Sequence, residues 1–203
     1  MSLRFYNECI DESINRSFLP TTYGPFDVRS FPNKDNPYAP ALLLISGDPE
    51  LFQTPLIRIH SECLTGDVFG SLRCDCGYQL HKSMELIAEE GGLIIYLRQE
   101  GRGIGLHHKI EAYQKQDLGM DTVEANEALG FGPDLRNYDE AIEILRSLNI
   151  NRLRLLTNNP AKVSALEKGG IQVIDRIPLF AQPNEFNKTY LETKREKMGH
   201  LFP

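Results

Sequence analysis

The chain has 203 residues, 41% of them hydrophobic and 25% charged, with a net charge of −6 at pH 7 and a pI near 5.4. That composition allows one sizeable core, and an acidic balance argues against a general nucleic-acid binder. No apolar run follows a basic start and none is long enough to span a bilayer, so the chain reads as cytoplasmic, with no membrane partner.

In chain order, the first part to about Pro55 reads as strands and turns. TTYGPFDVRSFPN (21–33) carries Gly and Pro punctuation, and ALLLISG (41–47) and PLIRIHS (55–61) read as strands. QLHKSMELIAEE (79–90) places Leu80, Met84 and Ile87 on one helical face, with Gly91 as a stop. GLIIYLR (92–98) is the next strand, followed by the turn EGRGIG (100–105). The helix after that turn is expected to bury Leu106, Ile110 and Tyr113. YDEAIEILRSL (138–148) is a further helix and RLRLLT (152–157) a further strand. Asn159 reads as an N-cap with Pro160 at the first helical position, closed by Gly169–Gly170. IQVIDRIPL (171–179) is the last strand, and KTYLETKREKMGH (188–200) a mostly polar helix. The alternation predicts a single α+β domain, a mixed sheet with helices packed on it. Its parts are N-terminal strands over 1–54, a core over 55–179 and a tail over 180–203.

The chemistry centres on CLTGDVFGSLRCDC, from Cys63 to Cys76. Cys63, Cys74 and Cys76 form a three-thiolate set, and Gly66 and Gly70 let the chain double back between them. Structural zinc sites use four protein ligands, whereas three leave a fourth position for water. Cys9 is far off in a tail-like segment and is the alternative fourth ligand. Three unconnected core thiols are the plainer reading. His60-Ser61-Glu62 reads H-x-E, as in zinc-dependent nucleobase deaminases, but R-C-D-C stands where those enzymes have P-C-x-x-C.

EGRGIG sits between a strand and a helix, where backbone N–H groups can meet an anion, although it fits neither G-x-x-x-x-G-K-[ST] nor G-x-G-x-x-G. Arg58, Arg73, Arg98, Arg102, Lys109, Arg136 and Lys162 are candidate cations, although any one of them taken singly reads first as a solvated surface residue. Lys162 lies in the first turn of a helix, an unfavourable end for a cation, so an anion or a carboxylate is expected beside it. From the residues alone the chain reads as a zinc hydrolase with one or two anion-binding turns.

RIHSECLTGDVFGSLRCDCGYQL, RQEGRGIGLHHKI, DTVEAN, LGFGPDLRNY and LLTNNPAKV occur in that order. Together these blocks resemble GTP cyclohydrolase II over residues 55 to 200, with 1 to 54 matching only loosely. The resemblance implies conversion of GTP to 2,5-diamino-6-ribosylamino-4(3H)-pyrimidinone 5′-phosphate, formate and pyrophosphate, the first step of riboflavin biosynthesis. It implies one Zn2+ per subunit on Cys63, Cys74 and Cys76 with a water that attacks the guanine ring. It also implies Mg2+ on the triphosphate, and a homodimer. The segment Arg58, Ile59, His60, Ser61, Glu62 matches nucleotide contacts, as do Gln79, Glu100, Gly101, Arg102, Thr122, Thr157 and Lys162. Asp134 matches the family's proton acceptor and Arg136 its nucleophile. An arginine carries no free lone pair when protonated, so stabilisation of departing pyrophosphate is the less demanding role for Arg136. Tyr113 matches a tyrosine near the site, with core packing as its other reading. His107, His108, Gly132 and Asn137 depart from the family pattern without removing a ligand or a charge. At this length the expected form is monofunctional, without a fused dihydroxybutanone-phosphate synthase domain. A zinc-stabilised nucleotide-binding protein and a relative that stops before formate release are the competing readings.

Overall fold

The computed structural model describes residues 15–33 and 36–201; Cys9 lies outside them. The described residues form one sheet of seven strands in the order β1-β2-β3-β5-β4-β6-β7. β1 (Arg16–Thr21) and β2 (Gly24–Phe31) make a hairpin, and β3 (Ala41–Ser46) continues it antiparallel. β5 (Gly92–Leu97) pairs antiparallel with β3 and parallel with β4 (Leu56–Ser61). β6 (Arg152–Leu156) runs parallel to β4 and to β7 (Gln172–Ile177). The N-terminal strands are therefore part of the same sheet as the rest.

Strand alternation gives the sheet two apolar faces. Ile57, Ile59, Leu93, Ile95, Leu153 and Leu155 point to one side, against α5 (Asp139–Ser147) and α6 (Pro160–Lys168). Leu56, Ile94 and Leu156 point to the other with Phe26, where Ile87 of α2 (Cys76–Glu90) covers them. β4 is central and buried throughout, except for Ser61 at its end. The connection from β4 through α2 reaches β5 on one side. The next connection, through α3 (Gly105–Asp117), α4 (Thr122–Ala128) and α5, reaches β6 on the other. The chain thus reverses direction across the sheet at the carboxyl end of β4, the position where open parallel sheets leave a crevice.

The expected strands and helices are present, with two additions. A short helix, α1 (Leu64–Asp67), follows Cys63, and α4 is built on a capping box in which Asp121 and Glu124 satisfy each other's backbone N–H groups. α2 starts at Cys76, three residues before the expected apolar pattern. α7 (Lys188–Glu196) is the polar tail helix. No described helix is long and apolar enough to cross a membrane.

Candidate active site

The carboxyl ends of β4, β5 and β6 open into a cleft that is lined by most of the expected site residues. At its floor, the Sγ atoms of Cys63, Cys74 and Cys76 lie within 4.8 Å of one another, and those of Cys63 and Cys74 are 3.7 Å apart. A tetrahedral zinc with Zn–S bonds of about 2.3 Å requires sulfurs about 3.8 Å apart, so the donor set fits that ion. The fold enforces this spacing. A Cβ at Gly66 would stand 2.9 Å from the Sγ of Cys74 and 3.2 Å from that of Cys63. Hydrogen bonds from Cys74 and Cys76, with the Lys109 ammonium, hold the Cys63 thiol far below its usual range. The hydrogen bond with Cys63 pushes Cys74 up to about 11.

Lys109 is buried, donating to Cys63 Sγ at 3.2 Å and to Glu100 Oε1 at 2.8 Å. Glu100 also accepts from the backbone N–H of Leu64 at 2.6 Å and of Gly101 at 2.7 Å. Its carboxylate therefore ties the EGRG turn to the thiol loop. The helix face expected to be apolar is corrected here: Leu106 and Ile110 are exposed, and Lys109 and Ala112 are the buried positions of α3. The inward position of α3 is taken by Lys109 because its ammonium meets the Cys63 thiol and the Glu100 carboxylate there. Tyr113 meets Thr65 rather than the core, with 3.3 Å between hydroxyls, and Arg73 lies over its ring at 4.7 Å.

On β4, Arg58 and His60 share the α2 side and are buried. Arg58 Nη2 lies 3.3 Å from His60 Nδ1. An arginine only donates, so Nδ1 accepts and the proton sits on Nε2, which donates to Asp67 at 3.1 Å. Burial, against the pull of Asp67, lowers His60 below the usual imidazole range, so the ring is neutral at pH 7. Asp67 also accepts from the Cys63 N–H at 3.0 Å and the Tyr96 hydroxyl at 2.9 Å. His60 thus orients the loop carrying the thiols and is not one of its ligands, which removes the deaminase reading of H-x-E. Ile59 is placed differently from its neighbours. Its side chain is in the core, and only its carbonyl reaches the site, accepting from Lys162 Nζ at 2.7 Å. Ser61 and Glu62 line the cleft and receive Gln99 and Arg98 from the end of β5.

Further cations line the same cleft. Gly101 and Arg102 both have φ of +61°, a conformation an arginine adopts at a cost. Both terminal nitrogens of Arg102 are buried without a hydrogen-bond partner among the described residues. The Arg102 carbonyl accepts from the Leu135 N–H at 3.0 Å, which docks the 134–136 segment on this turn. There Arg136 grips Asp134 through Nε at 2.8 Å and Nη2 at 2.5 Å. Arg136 lines the cleft, and Asp134 stands behind it. Burial opposes the charge of both. The hydrogen bonds between them win, holding Asp134 below the carboxylate range and Arg136 above the arginine range.

Asn159 caps α6 through Ala161 N–H at 2.9 Å, and Thr157 and Lys162 reach the cleft from this turn. Lys162 is 4% exposed. Burial, then the charges of Arg58, Arg136 and Lys194, press it well below the lysine range. Arg58, Lys109 and Lys162 are thus buried side chains, not surface ones. Thr122 enters from the start of α4.

The family model for GTP cyclohydrolase II matches residues 12–178. The chain belongs to the GTP cyclohydrolase II family. The match takes in the N-terminal strands as well as the motif blocks. The riboflavin biosynthesis protein RibBA of Bacillus velezensis is 51% identical over 201 residues, covering 97% of this chain and 50% of that protein. RibBA of Bacillus subtilis is 53% identical over 185 residues, 90% of this chain and 46% of that protein. RibBA of Aquifex aeolicus is 46% identical over 201 residues, 98% of this chain and 49% of that protein. The chain spans about half the length of these relatives.

Several residues around the family cleft escape the motif reading. Asp67 and Asp75 sit within the quoted blocks, but the burial of their side chains is not visible in spacing. Tyr190, Lys194 and His200 come from the polar tail and line the cleft. The tail is held by Lys197 on Asp121 and Glu124, and by the Leu201 N–H on the Asn158 carbonyl at 2.8 Å.

Proposed function

We propose that this family member is a zinc-dependent hydrolase that opens the guanine imidazole ring of GTP, releasing formate, pyrophosphate and a diaminopyrimidinone ribosyl phosphate. One observation carries the reading: three converging thiols share a cleft with Arg58, Arg102, Arg136 and Lys162, and the Arg102 guanidinium is unsatisfied among the described residues. A purine nucleotide bound between them would place its base at the thiols and its phosphates on Arg102, Arg136 and Lys162.

Zinc on Cys63, Cys74 and Cys76 would supply Lewis acidity for hydrolysis at neutral pH. Lys109 offsets thiolate charge at Cys63, and Tyr113 and Thr65 stand beside the thiols as hydrogen-bonding groups for the base. Arg58 and Gln79 form the adjacent wall. Arg102 and Lys162 take phosphate charge. Arg136, protonated and clamped by Asp134, stabilises the charge that develops as pyrophosphate leaves. Magnesium accompanies the triphosphate, consistent with its habit of binding through substrate phosphates. The working unit is a homodimer.

The test is incubation of the purified chain with GTP and magnesium, with and without a zinc chelator, and identification of products by mass. Formate, pyrophosphate and the diaminopyrimidinone, lost on chelation, are expected. A formylated product with pyrophosphate would limit the chain to the first hydrolysis. Unchanged GTP with zinc bound would make it a binding protein.

A further inference from the structure

Asp75 stands between two of the thiols at the N-cap of α2, yet its side chain makes no capping hydrogen bond there. It is 2% exposed and spends both oxygens elsewhere. Oδ2 accepts from Gln79 Nε2 at 2.6 Å, and Oδ1 accepts from Lys194 Nζ at 2.6 Å, 119 residues along the chain. Gln79 Oε1 in turn accepts from Arg58 Nη2 at 2.6 Å. A carboxylate only accepts and a guanidinium only donates, so these partners fix which end of the amide is oxygen and which is nitrogen. One N–H and one lone pair of Gln79 then remain for the cleft it lines.

We infer that Lys194 is a positioning residue for substrate binding: through Asp75 it locks the Gln79 amide in the single orientation that faces the substrate. Lys194 keeps a charge partner on a buried carboxylate. Without it, Asp75 has no ammonium beside it and is free to turn, and the Gln79 amide is held firmly only at its oxygen, by Arg58. The polar tail helix thereby contributes to recognition from outside the motif blocks. The inference rests on the proposed GTP site for its kinetic test, and a second readout frees it from that dependence.

The experiment is a double-mutant cycle on the full zinc-loaded chain, with zinc content measured for every variant. Lys194→Met is expected to raise KM for GTP about tenfold or more, the effect of losing a charge-assisted hydrogen bond, with kcat and zinc content near wild type. It should add nothing in a Gln79→Ala background, and Lys194→Arg should restore most of the loss. Losses that multiply in the double variant overturn the inference, as does a fall in kcat at unchanged KM or a parallel loss of zinc. Lys194→Gln, neutral but still able to donate, replaces the methionine variant in the same cycle if that chain does not fold. Independently, the Gln79 side-chain amide signals in a 15N–1H spectrum should be displaced and exchange-protected in wild type and move toward solvent values in the Lys194 variant. Signals that do not move overturn the inference whatever the kinetics. Wild-type protein that binds zinc but leaves GTP unchanged overturns the functional reading instead, and the spectra then decide the positioning role alone.

Discussion

Lys162 sits in the first turn of α6 with its Nζ on the Ile59 carbonyl and with Arg58, Arg136 and Lys194 as charged neighbours. The native environment disfavours its proton, so a bound polyanion must raise its affinity for one. The sign is a proton taken up on binding. Pyrophosphate titrated calorimetrically at pH 7 to 9, in buffers of different ionisation enthalpy, should show net uptake, and Lys162→Met should abolish the lysine's share. Arg136 is the opposite case, because its pairing with Asp134 secures its charge. Arg136→Lys keeps a cation but loses the forked contact, and kcat should fall by about 10²- to 10³-fold. In a rapid-quench single turnover the wild type should show no guanylyl adduct by intact mass; an adduct lost in the variant would restore the nucleophile role.

At the scale of elements, the thiol site depends on how α1 turns back onto the start of α2. Gly66 is the pivot, because any Cβ there meets two sulfurs. Gly66→Ala should lower bound zinc well below one per chain, read by metal analysis, while the far-ultraviolet spectrum changes little. This level also shows what was legible in the sequence. The short apolar segments at Leu56–Ser61 and Gly92–Leu97, and the Asn159-Pro160 cap, predict the sheet and α6 because burial and capping are local properties. α3 misleads because a buried lysine–glutamate pair occupies the inward position that periodicity assigns to leucine. α4 is short and weakly amphipathic, yet its D-x-x-E capping box at Asp121 and Glu124 was there to be read. The motif blocks name the cleft's walls. They leave out the tail, since Lys194 acquires its meaning from Asp75, 119 residues away, and Tyr190 from Arg102, whose guanidinium lies 5.9 Å from its ring centroid.

For the whole molecule, the cleft is closed by distant pairs. Arg58 reaches the Leu156 carbonyl across 98 residues, and Lys162 reaches Ile59 across 103. β4 can pair with β5 once α2 has formed, but its other edge waits for β6. Removing zinc from the native protein should lower its melting temperature by several degrees, because metal bound only by the folded chain adds to stability by mass action. Refolding supplies a different clock. The three thiols span only Cys63 to Cys76, a loop that closes quickly, whereas the cation wall needs contacts of large sequence separation, which form slowly. In stopped-flow refolding with zinc present, thiolate–metal absorption should therefore appear in an early phase and nucleotide-binding capacity in a later one. A chain caught between the two phases would hold its metal beside a β4 edge whose backbone groups still lack their β6 partners, so the interval between them is when self-association competes most with folding.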